Sequence, residues 1–281
     1  MVQKKFFTEV VLLTKSYNLQ DFKDWMHWHL DIIGFQRCHV FDNESSVDIK
    51  SVCDSYGDRV TYELVKGWPN QYALYNRYIN NESPAWWVLP IDDDEFLYVS
   101  DKYKNNVNMF LLANSKAHPD WCKVCVGWRN MFPEKFTETR TNLHMVLNAT
   151  GWCNEASEVW QAGNRPVKTM INTVYKYDFA DRDGKHRTHD PFVIPIDKPG
   201  YTINGECIVN SWQKVPTPSN ADLILYHFQF KCNSEWRYKC TKRKSAATQI
   251  DWKNHPEIYG RLYNNHVIQH DNRVVLLWQK Q

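Results

Sequence analysis

The stretch Trp86-Trp87-Val88-Leu89-Pro90-Ile91-Asp92-Asp93-Asp94-Glu95-Phe96-Leu97 constrains this chain more than any other. A short apolar run broken by proline reads as a buried strand. It runs straight into four acids, and an ionised carboxylate taken out of water without a partner is heavily penalised. Those acids therefore need either solvent or a cation. In an open α/β sheet, ligands gather at the carboxyl ends of the strands, which is where these acids stand. Side chains alternate along an extended chain, so Asp92 and Asp94 are expected to point one way and Asp93 and Glu95 the other. Oxygen donors suit a hard ion such as Mg2+ or Mn2+, which keeps positions open for water and phosphate oxygens. The competing reading is a solvated acidic turn.

Upstream, the pattern is that of successive β/α units. Val10 to Leu13 reads as a first strand, and Asn18 as the N-cap of a helix. Phe22, Trp25, Met26, Leu30 and Ile33 recur at helical spacing before Gly34 closes the element. Cys38 to Phe41 forms a second strand that delivers Asp42, and strand, helix, strand in this order makes a right-handed parallel crossover. A helix over 48–56, a strand over 60–64 and a helix over 71–79 lead to the acidic strand. This order places Asp42 and Asp92 at the same sheet edge. An acid after the second strand is where such folds hold a ribose or base, and an Asx turn or helix cap is the alternative for Asp42. No Gly-x-Gly-x-x-Gly follows the first strand, so the dinucleotide fingerprint is missing.

Past Phe96 the periodicity loosens. A strand is expected over 124–128, while 129–166 and the proline-rich 186–220 read as binding loops beside the sheet. With no linker in view, the expectation is one domain over 1–281, with a nucleotide-binding half, 1–100, and an acceptor-side half, 101–281. Leu223 to Phe228 is a further apolar strand; taken alone, its His227 reads as a satisfied core residue. Ser234 opens a helix to about Lys244 that carries Arg237, Lys239, Lys242, Arg243 and Lys244, either for phosphate or as a solvated face.

Charge and cysteine usage narrow the class. Thirty-four basic and thirty-two acidic residues leave a formal charge of +2, which offers no bulk attraction for nucleic acid or a membrane surface. The apolar run Val10 to Leu13 is too short for a signal-peptide core or a transmembrane segment, so a cytoplasmic protein is expected. Among eight cysteines, Cys122 and Cys125 form one C-x-x-C without a second. They read as buried thiols in a reducing compartment, with zinc or redox chemistry the alternative. Trp68, Trp152, Trp160 and Trp212 lie in polar contexts, where ring faces could pack against sugar C–H surfaces or be partly buried without a ligand.

Several short patterns, in order, resemble the family-92-like glycosyltransferases, relatives of the large family 2 with a GT-A type, Rossmann-like fold. They are the Trp25 to Gly34 helix with His29; Val40-Phe41-Asp42-Asn43-Glu44-Ser45-Ser46; Gln71, Ala73 and Tyr75; and Ile91-Asp92-Asp93-Asp94-Glu95-Phe96. Further on come Trp128, Lys168-Thr169-Met170-Ile171, His186 to Pro191, and Tyr226-His227-Phe228-Gln229-Phe230-Lys231 with Glu235 and Trp236. Two places depart from the family. Lys15-Ser16-Tyr17-Asn18 stands where Lys-Asn-Glu is usual, and Lys231-Cys232 stands where Lys-Ser is usual.

The resemblance implies a DxD motif in which Asp92 and Asp94, with His227, hold Mn2+ or Mg2+. It implies that Asp92 and Asp93 face the nucleotide sugar, that Asp42 contacts the uridine end of a UDP-sugar, and that Gln71 lies near the nucleotide or sugar. Lys168 and Lys231 would face the diphosphate. An inverting transfer needs a carboxylate to take the acceptor proton, and Glu155, Glu158 and Asp190 are the candidates. The acceptor would be a glycan or glycoprotein. Members outside the Golgi, from bacteria or large DNA viruses, act in a cytoplasm, including a host cytoplasm. Two other classes remain: a carbohydrate-binding protein that has lost turnover, and a sugar nucleotidyltransferase, which would need a Gly-rich phosphate loop that is not visible.

Overall fold

Alternation along the central strands sorts the core into two layers. In β1 (Phe6–Thr14), Val10 and Leu12 pack with the helix α1 (Leu19–His27), whereas Val11 and Leu13 pack on the opposite face with Tyr75, Tyr78 and Ile79 of α3 (Gln71–Asn81). β2 (Arg37–Asp42) repeats the division, with Val40 on the first face and Phe41 on the second. The period of two expected of a strand buried on both faces is therefore kept. The computed structural model describes residues 2–67, 71–133, 137–148, 151–153, 167–179, 191–194, 200–201, 207–208, 221–228, 231–239 and 268–281.

The centre of the sheet is parallel, in the order β3 (Val60–Leu64), β2, β1, β4 (Ala85–Ile91). Thr14 lies beside Asp42, and Leu12 beside Ile91, so the ends that carry Asp42 and Asp92 share one edge. The fold is thus mixed α/β with a parallel centre, as the order of elements predicts. After a turn, β5 (Glu95–Val99) leaves the path, and α4 (Val107–Ala117) follows on the first face. β6 (Lys123–Phe132) connects two regions. Its first half pairs with β8 (Val167–Asn172), which lies antiparallel beside β4; its second half pairs with β13 (Leu223–His227) and with β7 (Gly151–Cys153). β13 in turn runs antiparallel to β5, with His227 opposite Glu95. Strands from the second half of the chain therefore flank β4 and the segment that leaves its carboxyl end. Among the described residues no helix is long and apolar enough to cross a membrane.

The first β/α connection is built as its local sequence dictates. Asn18 accepts hydrogen bonds from the Gln20 and Asp21 N–H groups, capping α1. Past His27 the helix widens into a π turn over Trp28–Ile32, and Gly34 ends it at φ +83°. Glycine is favoured there because it adopts that φ readily, and a Cβ would also displace the end of the Asn106 side chain.

Candidate functional site

The four acids leave β4 in a tight turn rather than on an extended strand. The Glu95 N–H donates to the Asp92 carbonyl at 3.2 Å, and the Glu95 carboxylate accepts from the Asp92 N–H at 2.8 Å. The expected alternation, with Asp92 and Asp94 on one side, is therefore lost. Asp92 and Glu95 share one partner while Asp93 and Asp94 meet others, because a turn rotates successive side chains in a way a pleated strand does not.

Helix α1 and its π turn hold this segment by three ring nitrogens. Trp25 Nε1 donates to the Asp92 carbonyl at 3.0 Å, and Trp28 Nε1 donates to the Leu97 carbonyl at 2.7 Å. His29 Nε2 accepts the Leu97 N–H at 3.3 Å, so its Nδ1 donates to the Trp25 carbonyl at 2.9 Å. Burial lowers the His29 pKa to about 3, which keeps the ring neutral in this arrangement. The wider π turn is what brings both rings of Trp28 and His29 against β5. His29 is thus a support beneath the acidic turn.

Above that support the acids divide into two groups. Lys168, on β8 with 3% of its side chain exposed, places Nζ 2.9 Å from Asp92 Oδ2 and 3.5 Å from Glu95 Oε2. Burial opposes its charge, but the Asp92 and Glu95 carboxylates overcome that penalty and hold the ammonium above the ordinary lysine value. One ammonium faces two carboxyl groups, and the nearer is Asp92, 38% exposed. Burial raises the fully enclosed Glu95 well above the usual glutamate range, and the Asp92 charge adds to the rise despite Lys168. Tyr75 is also raised, by burial and then by Asp92, and its hydroxyl accepts from Gln71 Nε2 at 3.0 Å. Within the described residues the Gln71 side chain is thus engaged by Tyr75 of its own helix.

Asp94 forms the second group. Its Oδ1 is 3.3 Å from His227 Nε2 and its Oδ2 is 2.6 Å from Lys239 Nζ, while its carbonyl accepts the Phe228 N–H at 2.7 Å. His227 packs on the Trp128 ring at 4.5 Å, and its Nδ1 is buried without a hydrogen-bond partner among the described residues. Asp93 accepts from Thr14 Oγ1 at 2.6 Å. In an octahedral ion site with bonds of about 2.1 Å, adjacent ligand atoms stand roughly 3 Å apart. The Asp94 and His227 atoms have close to that spacing, but 3.3 Å is equally the distance of a hydrogen bond between the two side chains. Asp92 is turned away to Lys168, and among the described residues no group of three or more potential ligands is drawn together.

The remaining sequence candidates are placed as follows. Asp42 is buried; its Oδ1 accepts the N–H of Ser45, three residues on, at 2.8 Å, and its Oδ2 accepts from Tyr62 at 2.7 Å. Lys231 is buried against Asp21 at 2.7 Å, within a network where Arg140 grips both Asp21 and Glu235 and Tyr17 donates to Glu235. Burial opposes the Lys231 charge, but Asp21 overcomes it and raises its pKa. Lys231 thus ties the first β/α connection to the helix Asn233–Tyr238. Glu155, Glu158, Asp190, Trp68, Trp160 and Trp212 lie outside the described residues, and the backbone of Trp152 pairs with Met131. Cys122 and Cys125 are both buried. Trp25 and Glu95 stand in the patterns read from the sequence and Lys239 among its helix cations, but the contacts they make at the turn are not legible there, and Trp28 is not singled out at all. Their signal is weak, since each has an ordinary role in a core or on a solvated face.

No protein-family model matches the sequence, and no curated protein does. Among solved structures the chain is similar to Staphylococcus aureus TarS residues 1–349, with 14% identity over 60% of this chain and 47% of that one, at a TM-score of 0.37. The same fragment in complex with UDP-GlcNAc gives 11% identity over 68% and 56%, at 0.35. A 4-diphosphocytidyl-2C-methyl-D-erythritol synthase from Anaerococcus prevotii gives 11% identity over 49% and 60%, at 0.30. The chain spans about half the length of the TarS fragment it matches.

Proposed function

We propose that this chain is a glycosyltransferase that takes a sugar from a nucleoside-diphosphate donor, a UDP-sugar, and passes it with inversion to a hydroxyl of a glycan or glycoconjugate. The observation that carries this reading is the acidic turn at the carboxyl end of a central parallel strand, held by α1 and faced by His227 and two lysines. Breaking the anomeric bond leaves negative charge on the departing diphosphate, so the site must supply fixed positive charge there. Mn2+ or Mg2+ would be held by Asp94 and His227, with Asp92 able to join them only on leaving Lys168, and would supply that charge as a Lewis acid. Lys168 fixes the turn through Asp92 and adds positive potential at the rim; contact with the diphosphate requires it to leave Asp92. Asp42 shapes the second strand's exit, where the uridine would lie, with Gln71 across the edge. The proton acceptor is assigned to one of Glu155, Glu158 and Asp190, in the acceptor half.

Incubation with a panel of UDP-sugars and Mn2+, with and without glycan acceptors, tests the proposal. Release of UDP that increases with one acceptor is expected. Pyrophosphate release from a nucleoside triphosphate and a sugar phosphate would mean nucleotidyl transfer instead. Glycan binding without UDP release or UDP affinity would leave only a binding module.

A further inference from the structure

A helix as short as Asn233–Tyr238 does not stand on its own hydrogen bonds, and among the described residues the Cys232 side chain before it supplies no cap. The segment 137–148 provides the missing support. The Asn233 and Ser234 N–H groups donate to the Thr137 and Glu138 carbonyls at 3.0 and 3.1 Å, and Arg237 pairs with the Glu138 carboxylate. The same segment grips α1. Arg140 Nη1 and Nη2 each donate to one Asp21 oxygen at 2.5 Å, and His144 Nδ1 lies 3.0 Å from Asp24 Oδ1. Arg140 also takes both Glu235 oxygens, through Nε and, at 2.6 Å, through Nη2. One guanidinium, 9% exposed, therefore spans carboxylates on two separate helices. Both helices lead to the acidic turn: α1 reaches the Asp92 carbonyl through Trp25, while His227 ahead of the second helix and Lys239 after it face the Asp94 carboxylate.

Resting on the glycosyltransferase reading above, we propose that Arg140 is a positioning residue: it fixes the helix Asn233–Tyr238 to α1 and so sets where His227 and Lys239 stand against the acidic turn. Among the described residues its hydrogen bonds go to Asp21, Glu235 and the Leu143 carbonyl, so it acts on the turn only through other groups. The planar fork of arginine serves two carboxylates at once, which the point charge of a lysine does not. Lys231, 2.7 Å from Asp21, keeps that carboxylate paired when Arg140 is altered. Loosening Arg140 therefore frees the second helix without stranding a buried charge on α1.

Kinetics of UDP release and amide hydrogen exchange, both on the full chain, test this. Arg140→Lys is expected to lower kcat about tenfold, the scale of a slight misplacement at the reacting centre, with the KM for donor within about twofold of the unaltered value. Glu235→Gln breaks the same link and should give a similar loss, and the double variant should be no slower than the slower single one. Glu235→Gln carries both readouts if Arg140→Lys does not fold. Exchange should rise at 92–97 and 231–239 while 6–14 and 37–42 keep their protection; a residue that only stabilises the fold would raise all four together. An unchanged kcat, additive losses in the double variant, or a rise in exchange shared by the whole sheet would overturn the positioning role. Absence of UDP release from the unaltered chain with every donor would instead overturn the glycosyltransferase reading, and the exchange pattern would still decide whether Arg140 links the two helices.

Discussion

At the amino end of β1, Glu9 is fully enclosed, and both of its oxygens are occupied: Tyr78 and Arg37 donate to Oε1 at 2.7 and 2.9 Å, and Ser83 to Oε2 at 2.6 Å. At the carboxyl end of the same parallel strands, the acids of the 92–95 turn are shared among lysines and an imidazole. Glu95 Oε1 and His227 Nδ1 are buried without hydrogen-bond partners among the described residues. Both ends confront the cost of burying carboxyl groups, but the Glu9 carboxylate is saturated by the protein while the 92–95 turn keeps unmet capacity. A saturated network specifies a fold; an under-satisfied one at a strand's carboxyl end is prepared for a ligand.

Mutations at the two ends should separate stability from binding. The largest effect is expected for Lys168→Met, which leaves Asp92 and Glu95 without their buried cation and should lower unfolding stability by about 3–5 kcal/mol, read from urea titration, with loss of UDP release. An unchanged urea midpoint would show the pair to be dispensable. Glu9→Met should cost about 3 kcal/mol by stranding Tyr78, Ser83 and Arg37, yet leave the KM for donor unchanged wherever the protein is folded. A raised KM would erase the distinction between the two ends.

Acid and base titration sharpens the same contrast. Burial raises Glu9 above its unfolded value despite its three donors. Its contribution is therefore full below the ordinary glutamate range and is lost as pH rises through the folded value. For Asp21, burial is outweighed by Lys231 and Arg140, and the pKa is lowered. That contribution is present above the ordinary aspartate range and is lost as pH falls through the folded value. Urea midpoints measured against pH should lose the first slope in Glu9→Gln and the second in Asp21→Asn; identical profiles in the two variants would contradict the assignment. The smallest change is expected for Trp25→Phe, which removes one hydrogen bond to the Asp92 carbonyl. It should cost about 1 kcal/mol of stability and reduce donor turnover more than donor binding, measured as kcat against KM.

Much of the parallel half was legible in the residues. The strand at 60–64, the Asn18 cap and the Gly34 stop follow from patterns within a dozen neighbours, and the shared edge of Asp42 and Asp92 follows from the order of the β/α units. Helix α3 runs two residues past its expected end, and β6 extends from Lys123 to Phe132, because packing lengthens elements beyond their strongest periodicity. β5 and α4 were not legible: the acids mask the strand that follows them, and α4 has only a partial apolar stripe.

The sequence by itself determined that four acids would stand at the mouth of a central strand, since hydrophobic period, caps and crossover order are local properties of the chain. Only the tertiary structure decided what each acid meets. Lys168 comes to Asp92 from 76 residues away and Lys239 to Asp94 from 145, brought there by β8 beside β4 and by β13 beside β5. Charge pairing has no period along a chain, so the partner of a buried carboxylate is set by which strands become neighbours.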